Sequence, residues 1–418
     1  MRTKNTTCKT NKKARLTAAI VIMLLLICLC IGFLYTRGVK NNSIKDNDIE
    51  LSNNTVDEKE PVETLVFASD YQEMSGWDEP YTTLTNILYQ IKNANKSPTN
   101  VIYCGDYTND KNLHDYQLKP DDSINEIRDI VAKEYKDISQ EDMIFVQGNH
   151  DQLTESISTT GLHEYDNYLV YVLNTQYDFP WKQGRDLTFK DRVVSASEEM
   201  KECFDYLISK GETRPVIIAG HVPLHFTART SSRHNTGDNM YASYIFDVVN
   251  EAGNSLDIVY LFGHNHSKGW DCYLGGSSVF MEPGEEILIP DSGNNTSSTD
   301  DFTARKLNFT YMNAGYTGYY MNCGPEEIDN GTFENYDAAD ETLTATTCEV
   351  FPEELIITRF STEGLHPLCW DGEGNPYKGG IDDGLIGSEY YSKSKESPVH
   401  IVRRKVKNNS EQKTDSTE

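Results

Sequence analysis

With 418 residues the chain can hold one large domain or two ordinary ones, and a sizeable core in either case. Its 65 acidic against 38 basic side chains leave a formal net charge of −27, which repels polyanions over most of the surface and speaks against a nucleic-acid partner.

In chain order, residues 1–15 form a basic tail with Arg2, Lys4, Lys9, Lys12, Lys13 and Arg15 and no acidic residue. Residues 16–35, from Leu16 to Tyr35, carry no charge and have about the twenty-residue length that spans a bilayer. The positive charge before this run puts the N-terminus in the cytoplasm and the bulk of the protein outside the cell membrane. The competing reading is a cleaved signal peptide, but no small-x-small site follows the run, and the run exceeds the usual apolar region of such a peptide. Ile27 and Leu29 precede Cys28 and Cys30 where a lipoprotein would need small residues, so a single-pass anchor is expected. Residues 36–61 are polar and without apolar periodicity, as in a tether.

A domain is expected over residues 62–365. Five short apolar runs, Leu65–Ser69, Val101–Cys104, Ile144–Gln147, Val216–Ala219 and Ile258–Phe262, read as buried strands. Helices are predicted around Ile124–Ala132 and Met240–Val249, and from the helical spacing of Leu84, Ile87, Leu88 and Ile91. Another is predicted from Met200, Cys203, Phe204, Leu207 and Ile208, with Ser195 and Glu198 placed as a capping box. Strand–helix alternation argues for an α/β fold. Beyond residue 266, Trp270–Phe280, Leu307–Met321 and Leu355–Phe360 read as strands, and residues 284–306 as a surface loop. Residues 366–418 form a polar C-terminal extension, expected to be partly disordered, that contains Arg403, Arg404 and Lys405. Cys104, ending a core strand, is expected to be an inert thiol, whereas Cys323 and Cys348 either close a disulfide loop or stay unpaired.

Each of the five strands ends at residues suited to holding a metal or moving a proton. These are Asp70; Gly105-Asp106; Gly148-Asn149-His150-Asp151; Gly220-His221; and Gly263-His264-Asn265-His266. Loops at strand ends are where α/β folds place ligands, so one converging site is expected. Mixed oxygen and imidazole donors suit divalent manganese, iron or zinc. A carboxylate such as Asp106 can bridge two ions about 3.5–4 Å apart, which clamp a phosphate and activate water. In an extended segment His264 and His266 would point to the same side.

These motifs, over about residues 62–360, resemble those of the calcineurin-like metallophosphoesterases, whose order is Asp-x-His, Gly-Asp-x-x-Asp or Asn, Gly-Asn-His-Asp or Glu, His, and Gly-His-x-His. The resemblance implies a four-layer αββα β-sandwich flanked by helices, with Tyr311–Gly315 as a late strand behind the site. It also implies two metal positions, one from Asp70, Asp106 and His266 and the other from Asp106, Asn149, His221 and His264. Asp106 is the bridge, and His150 is the general acid that steadies the transition state as water attacks a phosphomonoester or phosphodiester in line. Two departures stand out. Gln72 replaces the His of the first motif, and its neutral carbonyl oxygen is expected to weaken the first ion or favour a harder one. Asn109 stands where many members carry an Asp that supports the motif's His; a neutral partner raises the imidazole pKa less, which would make His150 a poorer acid at neutral pH. Arg229 and Arg233 either grip phosphate oxygens or are plain surface residues. The leading expectation is a membrane-anchored hydrolase of a small phosphorylated substrate. The alternatives are a degenerate member that binds phosphorylated ligands without turnover, and a surface adhesion module.

Overall fold

The computed structural model describes residues 60–73, 79–108, 119–174, 187–224, 241–264, 280–290, 302–318, 326–328, 332–334, 343–365 and 397–405. The expected tail, membrane span and most of the tether lie outside these residues, as do Asn109, Arg229, Arg233 and His266. Among the described residues no helix is long and apolar enough to cross a membrane.

The chain begins as alternating strands and helices: β1 (Glu63–Ala68), α1 (Glu79–Asn93), β2 (Asn100–Tyr103), α2 (Pro120–Glu134) and β3 (Met143–Phe145). A hairpin follows, β4 (Gly161–Glu164) and β5 (Leu169–Leu173), then α3 (Leu187–Lys210), β6 (Val216–Gly220), α4 (Ala242–Ala252) and β7 (Ile258–Phe262). The later strands are β8 (Phe280–Met281), β9 (Glu286–Pro290), β10 (Phe302–Lys306), β11 (Thr310–Asn313), β12 (Gly315–Tyr316), β13 (Glu326–Ile328) and β14 (Thr332–Glu334). Last come β15 (Thr344–Val350), β16 (Glu354–Ser361), β17 (Gly364–Leu365) and β18 (Val399–Arg403).

Two mixed sheets face each other. The first runs β17-β16-β15-β1-β2-β3, with β18 paired to β16 and β12 to β15, and the second runs β4-β5-β6-β7-β11-β8. β1, β2 and β3 are parallel neighbours, as are β5, β6, β7 and β11. Three apolar clusters define the layers. Phe67, Ile102 and Ile144 of the first sheet meet Val172, Ile217 and Leu261 of the second in the middle. The outer face of the first sheet packs Val66, Val101 and Phe145 on Leu84 and Ile91 of α1 and Ile127 and Val131 of α2. The outer face of the second packs Ile218 and Tyr260 on Met200 and Phe204 of α3 and Phe246 and Val249 of α4. The order is helices, sheet, sheet, helices, as expected.

All five apolar runs are strands, and all four helices form with shifted ends. α3 starts at Leu187, so Ser195 lies two turns inside it, where its hydroxyl points to Glu199 at 3.4 Å and caps nothing. A capping box needs non-helical backbone before it, and here the preceding residues are already helical. The expected loop over residues 284–306 contains the β9–β10 hairpin, whose Ile287 and Ile289 are fully buried against α4 and its sheet. The 307–321 strand breaks at Ala314, where the chain leaves β11 and crosses to β15 as β12. In the C-terminal extension, residues 399–403 are a strand of the first sheet. Cys348 is a free thiol buried in β15 between the sheets, so it forms no bridge with Cys323, which lies outside the described residues.

Candidate metal centre

Because β1, β2 and β3 are parallel neighbours in one sheet and β6 and β7 in the other, their C-terminal ends lie at one end of the sandwich. Asp70, Asp106, Asn149, His221 and His264 are therefore neighbours although up to 194 positions apart in sequence. The loops after β1 and β2 stay paired past the strands: Asp70 N donates to Gly105 O, Gln72 N to Asp106 O and Glu73 N to Tyr107 O, each at 2.9 Å.

Backbone at the site is unusual. Among the described residues six non-glycine positions have positive φ, and four of them are Asp70 (54°), Gln72 (45°), Asp106 (57°) and His264 (67°). Such conformations cost roughly 1–3 kcal/mol each and collect at functional sites. Asp and His tolerate them better than most residues. His264 is thus not extended, and the expectation that it and His266 alternate along a strand fails at its first residue. Two glycines serve close approach. A β-carbon at Gly148 would collide with the backbone nitrogen and Oδ1 of Asp106, and one at Gly263 with Ser69 Oγ and the Asp70 carboxylate.

Four electron-rich atoms converge. Asn149 Oδ1 lies 2.8 Å from His221 Nε2 and 2.6 Å from His264 Nδ1, and those two nitrogens are 3.3 Å apart. Asp106 Oδ2 is 3.3 Å from His221 Nε2 and, though fully buried, makes no well-formed hydrogen bond. The ligand atoms of Asp106, His221 and His264 all lie within 4.8 Å of one another. The other ring nitrogen of His221 donates to the Cys104 carbonyl at 2.7 Å, which turns Nε2 inward and fixes its role. One carboxylate, one amide oxygen and two imidazoles around an under-satisfied buried oxygen fit a divalent transition-metal ion.

The electrostatics agree with that fit. Burial opposes ionisation of Asp106, yet the imidazoles of His221 and His150 hold its carboxyl well below the usual carboxylate range. Burial likewise opposes charge on His221, and Asp106 outweighs it, carrying the imidazole up to about 9. A positive charge is favoured at this spot.

Asp70 accepts from the backbone nitrogen of His264 at 2.9 Å through Oδ2 and 3.2 Å through Oδ1, tying the two sheets together. Gln72 is buried beside it. His150 is partly exposed; its backbone nitrogen donates to Asp106 Oδ1 at 2.7 Å and its Nε2 stands 3.9 Å from Asp106 Oδ2. The sequence marked Asp151 only as a motif member, with no role. Its carboxylate accepts three backbone N–H groups, from Asp106 (2.8 Å), Tyr107 (2.9 Å) and Gly148 (2.7 Å), and so locks the β2 and β3 loops together. Burial first, then the Asp106 charge, push its carboxyl up to about 7.

Comparison with known proteins gives a family. The model described as calcineurin-like phosphoesterase matches residues 64–268. No curated protein matches. Among solved structures, a purple acid phosphatase from yellow lupin (Lupinus luteus) seeds is similar at 10% identity and TM-score 0.37, over 73% of this chain and 52% of that one, about half its length. A Vps29 single mutant from Entamoeba histolytica is similar at 11% identity and TM-score 0.28, over 81% and 97%. A predicted phosphoesterase from Streptococcus pneumoniae is similar at 9% identity and TM-score 0.27, over 73% and 93%. At such scores these likenesses carry no argument about function.

Proposed function

The chain belongs, through residues 64–268, to the calcineurin-like phosphoesterases, hydrolases of phosphoester bonds, and we propose that it cleaves a small phosphomonoester or phosphodiester on the outer face of a cell membrane. The convergence of Asp106, Asn149, His221 and His264 at one buried point carries the catalytic half of this reading. The uncharged run of residues 16–35 behind a basic tail carries the membrane half.

Asp106, Asn149, His221 and His264 would hold one divalent ion, and Asp106 with Asp70, Gln72 and His266 the other, with manganese, iron or zinc suited to both. Such ions, when bound, polarise a phosphoryl oxygen and lower the pKa of water. Around them the protein's own groups have separate tasks. Asp106, kept ionised, supplies negative charge to both positions. The Cys104 carbonyl orients His221, and the Asp70 carboxylate holds the His264 backbone. His150, at the partly open side, is placed to give a proton to the leaving oxygen. Arg229 and Arg233, expected either to grip phosphate oxygens or to be plain surface residues, and Asn109, expected beside His150, lie outside the described residues.

The full chain in detergent micelles, supplied with manganese and generic aryl phosphomonoesters and diesters, tests this. Asp106→Ala is expected to lower kcat/KM by more than about a hundredfold, beyond the loss of a ligand's mere supporting partner. Elemental analysis should show metal loss in the same variant. A folded wild type inactive on both ester classes with manganese, iron and zinc would overturn the proposal and favour ligand binding without turnover.

A further inference from the structure

The turn that carries Asp70 and Gln72 is braced from a helix that takes no part in the chemistry. Between the two residues Tyr71 is fully buried in the core that the first sheet shares with α1 and α2. Its hydroxyl donates to Glu126 Oε2 on α2 at 2.5 Å, and its ring meets that of Tyr103 edge-on with centroids 6.4 Å apart. On either side the backbone is left-handed, a state that persists only where the surroundings enforce it. The same helix holds a second site loop, since Thr154, four residues after His150, donates its hydroxyl to Asp121 Oδ1 at 2.7 Å.

We propose that Tyr71 is a positioning residue, whose bond to Glu126 holds the Asp70–Gln72 turn in place and thereby sets the affinity of the metal position these residues build. The proposal rests on the metal reading above. A neutral Gln oxygen attracts an ion less than an imidazole does, so more of the affinity at this position must come from a turn already in its bound shape.

Manganese alone is the probe, titrated into the metal-stripped full chain in detergent with free Mn²⁺ read by electron paramagnetic resonance. Asp70→Asn and Asn149→Ala identify which binding transition belongs to which position. Tyr71→Phe, which removes only the hydroxyl, is expected to weaken the Asp70-dependent transition by about ten- to a hundredfold and to spare the Asn149-dependent one. Glu126→Ala, at a partly exposed position, should reproduce this and decides the matter if Tyr71→Phe does not fold. Glu126→Gln keeps an acceptor oxygen and should restore most of the affinity. An unchanged Asp70-dependent transition in Tyr71→Phe or, should that variant not fold, in Glu126→Ala would overturn the proposal. Equal weakening of both transitions would do the same, because it marks general loosening. A wild type without an Asp70-dependent transition overturns this inference alone, whereas one that binds no manganese overturns the metal reading as well.

Discussion

Asp151 illustrates how one side chain holds a site without touching its chemistry. Three backbone N–H groups from two loops end on its carboxylate, and one of them belongs to Asp106. Asp151→Asn keeps the shape but replaces an acceptor oxygen with a donor facing buried donors, so urea denaturation should show a loss of about 1–3 kcal/mol. Metal affinity should fall with it, because the Asp106 turn loses its clamp. The motif residues Asp70, Asp106, Asn149, His150, His221 and His264 were legible in the sequence as chemistry-bearing residues at strand ends. The left-handed backbone at four site positions was not, because φ is set by the pairing of neighbouring loops, and Asp and His, though tolerant of it, occur far more often in ordinary backbone. Tyr71 was hidden for a similar reason: its partner Glu126 is 55 positions away, on a helix whose packing only the fold decides.

Among elements, the five apolar runs that end at the site were legible as strands, whereas β5 and β9, though apolar, and the polar β15 were not. β15 reads Thr344-Ala345-Thr346-Thr347-Cys348-Glu349-Val350, yet it is buried throughout and lies between β1 and β16. Its threonines suit a pleated sheet but form no apolar run. The turn between α3 and β6 is held electrostatically. Arg214 bonds Glu212 through Nε at 3.0 Å and its terminal nitrogen at 2.8 Å, and reaches across to the Tyr165 carbonyl at 2.7 Å in the β4–β5 turn. Arg214 is the main reason the Glu212 carboxyl is lowered to about 2. A depressed folded-state pKa contributes stability above the unfolded value, near 4.5, that is lost as pH falls through about 2. Glu212→Gln should therefore cost up to about 1 kcal/mol at neutral pH, given solvent screening. That difference should vanish in denaturation curves taken progressively between pH 5 and pH 2.

For the molecule as a whole, the described C-terminal residues fasten the two sheets at the end opposite the site. Arg404 reaches Asp257 just before β7, the Thr213 carbonyl before β6, and the Phe351 and Pro352 carbonyls between β15 and β16. Lys405 donates to the carbonyls of Gly253, Leu256 and Asn308. Arg404→Ala should lower stability by about 1 kcal/mol, since it removes hydrogen bonds to the partly buried Asp257 carboxylate and Phe351 carbonyl and to two exposed carbonyls. Manganese affinity should stay unchanged, because these contacts lie at the N-terminal ends of β6 and β7. By itself the sequence determined the α/β character, the four helices, the five site strands and most of the metal-seeking side chains, all written in local periodicity and residue chemistry. Only the tertiary structure decided which atoms meet, that Asp151 and Tyr71 brace the turns, that Cys348 is unpaired, and that the polar C-terminal segment is a strand. Those depend on pairings between residues far apart in the chain, and they follow from backbone hydrogen bonds and close packing, which no local pattern encodes.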